Sequence, residues 1–275
     1  MKCFEFTTKE MPGYHVQAYL QTDIGEEVDQ RGALPGVIIC PGGGYDMVSV
    51  REAEPVAKMY LAAGYHAFVL YYSVKKAARE FRPLLELASA MAHIRENAKE
   101  WNVDRGKIAV CGFSAGGHLA ASLGTMYRDG AFQAAQKKLH AEFSAEEIRP
   151  DAMILGYPVI TADEYANVGS ITTVSGADPG SELYRQFGLD QYVDGSTPPA
   201  FLWHTSTDVC VPVENSLKFA AAMAAAKVPF ELHVFPTGDH GMSVCTAEVA
   251  TADSYNGRWV EWSIRWLNRT FSFQN

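Results

Sequence analysis

The feature that most constrains the fold of this sequence is a regular alternation of short apolar runs with longer segments of helical spacing. Val37–Cys40, Ile108–Cys111 and Ala152–Leu155 are continuous apolar runs of strand length. Between them, apolar residues recur three or four positions apart, as expected for helices that cover a core. Strands that are apolar on both faces are typical of parallel sheets. The sequence therefore predicts an α/β protein with a mostly parallel central sheet and helices on both faces.

The same pattern places the individual elements along the chain. Two edge strands are predicted first, followed by six further strands: Phe4–Thr8, His15–Gln21, Val37–Cys40, His66–Tyr72, Ile108–Cys111, Ala152–Leu155, Ala200–Trp203 and Phe230–Phe235. The longer helices are predicted at Ala53–Ala63, Pro83–Trp101, Ser114–Met126, Glu214–Lys227 and Trp259–Asn268.

The length and composition indicate a single domain over residues 1–275, since 275 residues that are 48% hydrophobic can bury one sizeable core. Two segments interrupt the alternation. Residues 127–149 are polar and partly helical, and residues 161–199 are expected to be irregular. Both are candidates for a cap or lid over a site, and decoration of the surface is the alternative.

The charge and the cysteines limit the partners and the compartment. A net charge of −9 without a basic run argues against binding to nucleic acid or to an anionic membrane. No apolar stretch reaches the roughly 18 residues of a membrane helix, and the first residues do not resemble a signal peptide. Five widely spaced cysteines without a CxxC pair fit buried, reduced thiols. We therefore expect a cytoplasmic protein, and the sequence leaves a homo-oligomer open.

The run Gly112-Phe113-Ser114-Ala115-Gly116 lies between a predicted strand and a predicted helix. A sharp turn from strand to helix holds a serine in a strained conformation above the sheet, and its neighbours must be small. The N-terminus of the helix also favours developing negative charge. Ser114 is therefore predicted to be a nucleophile, although a serine here could instead serve only as the helix N-cap.

A serine nucleophile needs a base, and in this arrangement the order along the chain is serine, acid, histidine. His240 lies in a turn-rich loop directly after the strand that ends at Phe235. His118 is four residues past Ser114, which predicts that it points along the flank of the helix in a structural role. The remaining histidines lie within predicted strands or helices, so His240 is the predicted base.

The acid should follow the preceding strand, and Asp208 lies in the loop after Ala200–Trp203. Its carboxylate would orient His240 and stabilise the charged imidazolium, whereas a turn-forming role is the alternative. Asp178 and Asp239 are the rival acids. No comparable strand leads into Asp178, and Asp239 is adjacent to the histidine and expected to point elsewhere.

The glycines of Pro41-Gly42-Gly43-Gly44-Tyr45 follow a buried strand. No Lys-Ser/Thr pair follows them and no GxGxxG pattern is present, which argues against a phosphate site. Glycines permit the backbone angles that turn successive N–H groups toward one point. We predict an oxyanion hole formed by Gly43, Gly44 and the N–H of Ala115, with a plain flexible turn as the alternative. No ligand spacing for a metal is present, and no organic cofactor is implied.

Taken together and in this order, four blocks resemble the α/β-hydrolase superfamily, in particular its esterase/lipase and acetylxylan-esterase-like members. The blocks are the glycine loop, Gly112–Ala120, His204–Pro212 and Gly238–Gly241. The resemblance implies hydrolysis of carboxylic esters through an acyl-enzyme, with small acetyl esters of sugars or xylan fragments as substrates. Pro41 stands where the related lipases have histidine, which argues against lipid substrates.

Two alternatives to an esterase remain open at this point. An amidase such as an arylformamidase, or a small peptidase, would use the same three side chains on a different bond. A non-catalytic binding protein on this fold is the alternative from another class, although the sequence retains a candidate for each member of the triad.

Overall fold

The strands form one sheet. The computed structural model of the protein describes residues 1–8, 11, 13–22 and 32–274. The strands in this part of the chain are β1 (Lys2–Phe6), β2 (His15–Leu20), β3 (Leu34–Cys40), β4 (His66–Tyr71), β5 (Val103–Phe113), β6 (Ala152–Gly156), β7 (Ala200–Thr205) and β8 (Phe230–Phe235). They form an eight-stranded sheet in the order β1-β2-β4-β3-β5-β6-β7-β8.

The sheet is mostly parallel, as predicted. All neighbouring strands from β4 through β3 to β8 pair in parallel, whereas β1–β2 and β2–β4 pair antiparallel. The prediction of two edge strands at the start of the chain was half wrong. Only β1 is at an edge, because β2 pairs with β1 on one side and with β4 on the other. The opposite edge is β8.

Helices connect the strands. They are α1 (Glu54–Ala62), α2 (Arg82–Glu96), α3 (Ala98–Trp101), α4 (Ala115–Met126), α5 (Gly130–Lys138), α6 (Ala145–Ile148), α7 (Val168–Ser175), α8 (Glu182–Arg185), α9 (Glu214–Ala225) and α10 (Arg258–Thr270). Short 3₁₀ turns occur at Val50–Glu52, Lys75–Ala78, Asp190–Tyr192 and Ala247–Val249.

The core lies on both faces of the sheet. Successive residues of a strand point to opposite faces, and on β3 Ile38 belongs to one apolar cluster while Val37 and Ile39 belong to the other. Helices α2, α4 and α9 contribute to the cluster around Ile38, and α1 and α10 contribute to the second. The predicted α/β architecture, with helices on both faces, is therefore confirmed.

Several local predictions differ from the structure; the strand predicted at Ile108–Cys111, for example, extends over Val103–Phe113. The helix predicted to run to Trp101 is interrupted at Asn97, whose side-chain Nδ2 donates to the carbonyl of His93 at 2.8 Å; an amide that bonds to nearby backbone competes with the helix. The first strand ends at Phe6 rather than Thr8. Residues 161–199 are not wholly irregular, since Asn167 caps α7 and Gly176 ends it in the left-handed conformation.

The five cysteines are all free thiols. Cys40, Cys111 and Cys245 are buried free thiols, but Cys3 and Cys210 are exposed, so the prediction of buried thiols holds for only three of the five. Among the described residues, no helix has the length and apolar character required to cross a bilayer, and no group of three or more metal-ligating side chains is clustered.

Candidate active site

The predicted site residues meet in the loops at the carboxyl ends of the parallel strands. The glycine loop follows β3 and Ser114 follows β5, while Asp208 and His240 lie in the loops after β7 and β8. These strands are near neighbours in the sheet. Because parallel strands all end at the same edge, residues distant in sequence converge there.

Ser114 stands at the turn between β5 and α4 with φ 53° and ψ −121°, a backbone conformation that costs a non-glycine residue about 1–3 kcal/mol. Gly112 and Gly116, two residues before and after the serine, must be small because other backbone atoms lie close to them. A Cβ on Gly112 would lie 2.1 Å from the carbonyl oxygen of Gly116, and a Cβ on Gly116 would lie 2.1 Å from that of Cys40. The start of α4 therefore packs directly against the end of β3, which brings the serine beside the glycine loop.

A continuous line of hydrogen bonds joins Ser114, His240 and Asp208. The Ser114 Oγ lies 2.8 Å from Nε2 of His240, and Nδ1 of His240 lies 2.7 Å from Oδ2 of Asp208. An ionised carboxylate only accepts, so Nδ1–H of His240 donates to Asp208 and Nε2 is free to accept from the serine hydroxyl. This is the arrangement in which an imidazole can take a proton from a serine.

The surroundings of Asp208 keep it ionised. Burial raises the pKa of this carboxyl, but hydrogen bonds from His204 and His240 outweigh that effect and hold the pKa well below its usual range. Its second oxygen accepts the N–H groups of Cys210 and Val211, both at 2.9 Å. A buried carboxylate with all these donors is fixed in both position and charge.

The glycine loop is held by internal hydrogen bonds, and two of its N–H groups have no acceptor among the described residues. The carbonyl of Gly43 accepts the N–H groups of Asp46 at 3.0 Å and Met47 at 3.1 Å. Gly43 has φ +124° and Gly44 has φ +66°, conformations that favour glycine. Within the described part of the chain, the N–H groups of Gly43 and Gly44 donate to no acceptor. Both residues line the same cavity as Ser114 and His240.

Ala115, the third predicted oxyanion donor, is the first residue of α4 and is fully buried. Its N–H therefore belongs to the N-terminal turn of a helix, where backbone donors are unsatisfied and negative charge is favoured. The rival acids lie elsewhere: Asp178 and Asp239 are exposed, and neither has a hydrogen bond to His240 among the described residues.

His118 is built into the core, as its position on α4 predicted. Its Nε2–H donates to the carbonyl of Phe187 at 2.9 Å, and the hydroxyl of Tyr45 donates to its Nδ1 at 2.9 Å. Burial lowers the pKa of this imidazole from 6.5 to about 4. His118 is therefore neutral near pH 7 and acts as a hydrogen-bonding bridge between the residue after the glycine loop and the segment containing Phe187.

Two residues that the sequence analysis did not identify lie at the site. The Glu52 carboxylate accepts the N–H of Gly42 at 2.8 Å and the hydroxyl of Tyr157 at 2.6 Å. The ring of Tyr157 meets that of His240 edge to face, with centroids 5.0 Å apart. Glu52 precedes a helix, where an acidic residue is common on helix-dipole grounds alone, so the sequence carries no signal that separates it from the exposed Glu54.

The cavity at the site has a volume of about 680 Å³. Besides Ser114, His240 and the glycines, side chains of the α7 segment line it, which places part of residues 161–199 beside the serine. Its further polar lining residues are Asp46, Ser49, Arg51, Glu52, Asn167, Ser170 and Thr173. Residues 127–149 do not contribute to this wall. Whether either segment works as a cap or lid stays a prediction.

The fold is that of an α/β-hydrolase, as shown by the order of the strands, the serine at the β5–α4 turn and the position of the site loops at the strand ends. Comparison with known proteins gives the family. The model of the BD-FAE family matches residues 22–223. The chain belongs to this family.

Relatives of known sequence include enzymes of xylan breakdown. The chain is 39% identical over 215 residues to endo-1,4-beta-xylanase B of Butyrivibrio fibrisolvens, covering 77% of this chain and 33% of that protein. It is 31% identical over 222 residues to an acetylxylan esterase of Xylanibacter ruminicola, covering 78% and 42% respectively. The chain thus spans less than half the length of either relative.

Solved structures match over nearly the whole chain. An acetyl ester-xyloside bifunctional hydrolase from Caldicellulosiruptor lactoaceticus has a TM-score of 0.80 at 37% identity, covering 95% of this chain and 89% of that one. The carboxylesterase Cest-2923 from Lactobacillus plantarum has a TM-score of 0.85 at 28% identity, with full coverage of both chains. These matches agree with the α/β-hydrolase fold derived above.

Proposed function

We propose that the protein is a serine esterase that hydrolyses carboxylic esters with small acyl groups. The observation that carries the proposal is the hydrogen-bonded line from Ser114 through His240 to Asp208, at 2.8 and 2.7 Å. A serine held in a strained turn, with an imidazole oriented by an ionised carboxylate, is suited to nucleophilic attack on a carbonyl carbon.

The reaction follows in two halves. The Ser114 Oγ attacks the ester carbonyl while its proton passes to Nε2 of His240, and Asp208 stabilises the imidazolium. The N–H groups of Gly43, Gly44 and Ala115 would bind the negative oxygen of the tetrahedral intermediate. The imidazolium then protonates the departing alcohol, leaving an acyl-enzyme. A water molecule, deprotonated by the same imidazole, releases the carboxylic acid and restores the serine.

We infer acetyl esters of xylan or of its oligosaccharides as substrates. The relatives named above include an acetylxylan esterase and an acetyl ester-xyloside hydrolase. The cavity wall carries polar side chains that can bond to sugar hydroxyls, while Met47 and Val50 supply exposed apolar surface that can contact a sugar ring. Pro41, in place of the histidine of related lipases, remains an argument against long acyl chains.

The organisation and location of the protein are part of the proposal. We infer one α/β-hydrolase domain over residues 1–275, without a nucleic-acid or membrane partner, acting in the cytoplasm and needing no metal or organic cofactor. The supporting observations are the continuous sheet, the acidic charge of −9 and the free thiols.

The test is hydrolysis of p-nitrophenyl acetate and release of acetate from acetylated xylo-oligosaccharides, by the wild type and by Ser114→Ala. We expect the variant to lose activity by about 10⁴-fold or more, because removing the nucleophile leaves only the contribution of binding and the oxyanion donors. Equal rates in the two proteins would refute the assignment of the serine. Parallel assays with N-formyl and peptide substrates decide between an ester and an amide, and organophosphonate labelling of Ser114 would exclude a purely binding role.

A further inference from the structure

Glu52 is a buried carboxylate in contact with the candidate site. Only 3% of its surface is exposed, and its hydrogen-bond partners, the N–H of Gly42 and the hydroxyl of Tyr157, are both neutral. Burial raises the pKa of this carboxyl, and the hydrogen bonds from Tyr157 and Gly42, followed by the charges of His240 and Arg51, act in the opposite direction. A carboxylate is costly to bury when its hydrogen-bond partners are neutral, so its presence beside the site needs a reason.

The position of Glu52 connects three loops. Its Oε2 holds the loop after β3 through Gly42, and its Oε1 holds the loop after β6 through Tyr157. The Tyr157 oxygen in turn accepts the N–H of Ser243 at 2.9 Å, three residues past His240. The hydroxyl of Ser243 donates to the carbonyl of Arg51 at 2.6 Å. Three hydrogen bonds and the peptide bond from Arg51 to Glu52 therefore close a ring through the loop after β6 and the histidine loop. The hydrogen bond from Gly42 ties the glycine loop to this ring.

The ring lies directly against the reacting groups. The point where a Cβ on Gly42 would stand is 2.8 Å from Oε2 of Glu52 and 3.0 Å from the Cβ of Ser114. Gly42 immediately precedes the two glycines that line the cavity, and the ring of Tyr157 meets the imidazole of His240 edge to face. Small changes in either loop would alter the geometry of the donors or of the base.

We propose that Glu52 is a positioning residue that fixes the oxyanion loop and the histidine loop relative to each other. The inference rests on the esterase function proposed above. The carboxylate accepts one hydrogen bond from Gly42 of the oxyanion loop and one from Tyr157, which in turn accepts the N–H of Ser243 in the histidine loop. It thereby keeps the N–H groups of Gly43 and Gly44 directed at the oxyanion and keeps Tyr157 against His240. Its contribution is greatest in the transition state, because the oxyanion and the imidazolium exist only after attack has begun.

The carboxylate is required because both of its oxygens accept. A glutamine in its place has one oxygen and one NH₂ group. If its oxygen accepts from Gly42, its NH₂ group must donate to the Tyr157 oxygen, which already accepts the N–H of Ser243, and the hydroxyl proton of Tyr157 loses its acceptor. Glu52→Gln keeps the shape of the side chain and removes this double acceptor. Tyr157→Phe removes the bridge to Ser243 while leaving Glu52 in place. Glu54→Gln, an exposed change two residues away in the chain, is the matched control.

The experiment measures kcat and KM for p-nitrophenyl acetate per active site, counted by organophosphonate titration, together with the inhibition constant of a boronic acid that forms a tetrahedral adduct. For Glu52→Gln we expect kcat to fall about 10- to 100-fold with KM little changed. The boronic acid should bind more weakly by a similar factor. Tyr157→Phe should give a smaller loss in the same direction, and Glu54→Gln should match the wild type.

A purely structural role predicts a different result. In that case Glu52→Gln would unfold at a lower temperature but keep the wild-type kcat per titrated site and the wild-type boronic acid affinity, and this outcome would overturn the proposal. If Glu52→Gln does not fold, Tyr157→Phe decides: wild-type kcat in that variant overturns the proposal, and a reduced kcat supports it. Failure of the esterase function itself would appear as a wild type that hydrolyses no ester, whereas failure of this inference leaves the wild type and Glu52→Gln equally active.

Discussion

Replacing His118 by glutamine tests how the core beneath the glycine loop depends on pH. The imidazole is fully buried, and burial lowers its pKa to about 4 from 6.5. When the chain unfolds, the imidazole returns to water and to its ordinary pKa. The unfolded chain therefore binds a proton at His118 in a pH range where the folded protein does not, and stability falls with falling pH in that range.

The magnitude follows from the two pKa values. A group whose pKa is depressed by folding contributes its full stability above the unfolded pKa and loses it as pH falls toward the folded pKa. For 6.5 in the unfolded chain and about 4 in the folded one, the loss between about pH 7.5 and about pH 5 is about 2 kcal/mol. The loss reaches about 3 kcal/mol near pH 4 and is complete only below that pH, where the imidazole is protonated in both states.

Urea denaturation at these two pH values measures the effect. The wild type should lose about 2 kcal/mol more stability than His118→Gln on going to the lower pH, although the variant starts from a lower stability because its hydrogen bonds to Tyr45 and Phe187 are disturbed. Ser122→Ala is the control, since it removes a buried hydroxyl bonded to the carbonyl of His118 but no titrating group. An identical pH dependence in wild type and His118→Gln would refute the reasoning.

Two further predictions concern the proposed machinery. Asp208→Asn should lower kcat about 10⁴-fold, because the amide favours the wrong tautomer of His240; stopped-flow or steady-state ester hydrolysis measures it, and a loss below about tenfold would contradict the role of the acid. Gly43→Ala should lower kcat about 10²- to 10³-fold through a displaced oxyanion donor, since the new Cβ would lie 2.2 Å from the carbonyl oxygen of Met47. Gly130→Ala, with no atom within 4 Å of the added Cβ, is its control, and equal loss in both variants would count against the oxyanion loop.

Much of the fold and the core of the candidate site could be predicted because both follow from local pattern. A strand buried on two faces needs a continuous apolar run, which makes such strands recognisable in the sequence. Because the carboxyl ends of parallel strands lie on the same side of the sheet, the order of the elements alone predicts that Ser114, Asp208 and His240 converge. The structure brings these three side chains within hydrogen-bond distance.

The features that the sequence did not reveal depend on contacts between distant parts of the chain. Glu52 and Glu54 are alike in their local sequence, yet only Glu52 is buried, because Tyr157, 105 residues later, closes over it. The pairing of β2 on both sides is equally non-local. A short strand in which buried apolar residues alternate with more exposed ones can lie at an edge or inside the sheet, and only the approach of β4 decides which. The α7 helix had local capping signals, Asn167 and Gly176, that periodicity alone did not detect.

The central claim is that Ser114 forms an acyl-enzyme, and trapping that intermediate tests it most directly. The wild-type protein is mixed with an acetyl ester, quenched in acid during turnover, digested and analysed by mass spectrometry. We predict one acetyl group on the peptide that contains Ser114 and none in Ser114→Ala. The free thiol of Cys210 lines the same cavity and is a second nucleophile that an ester could acylate. The position of the acetyl group therefore distinguishes the two. Turnover with the acetyl group on Cys210, or without an acyl adduct on Ser114, would contradict the proposed mechanism.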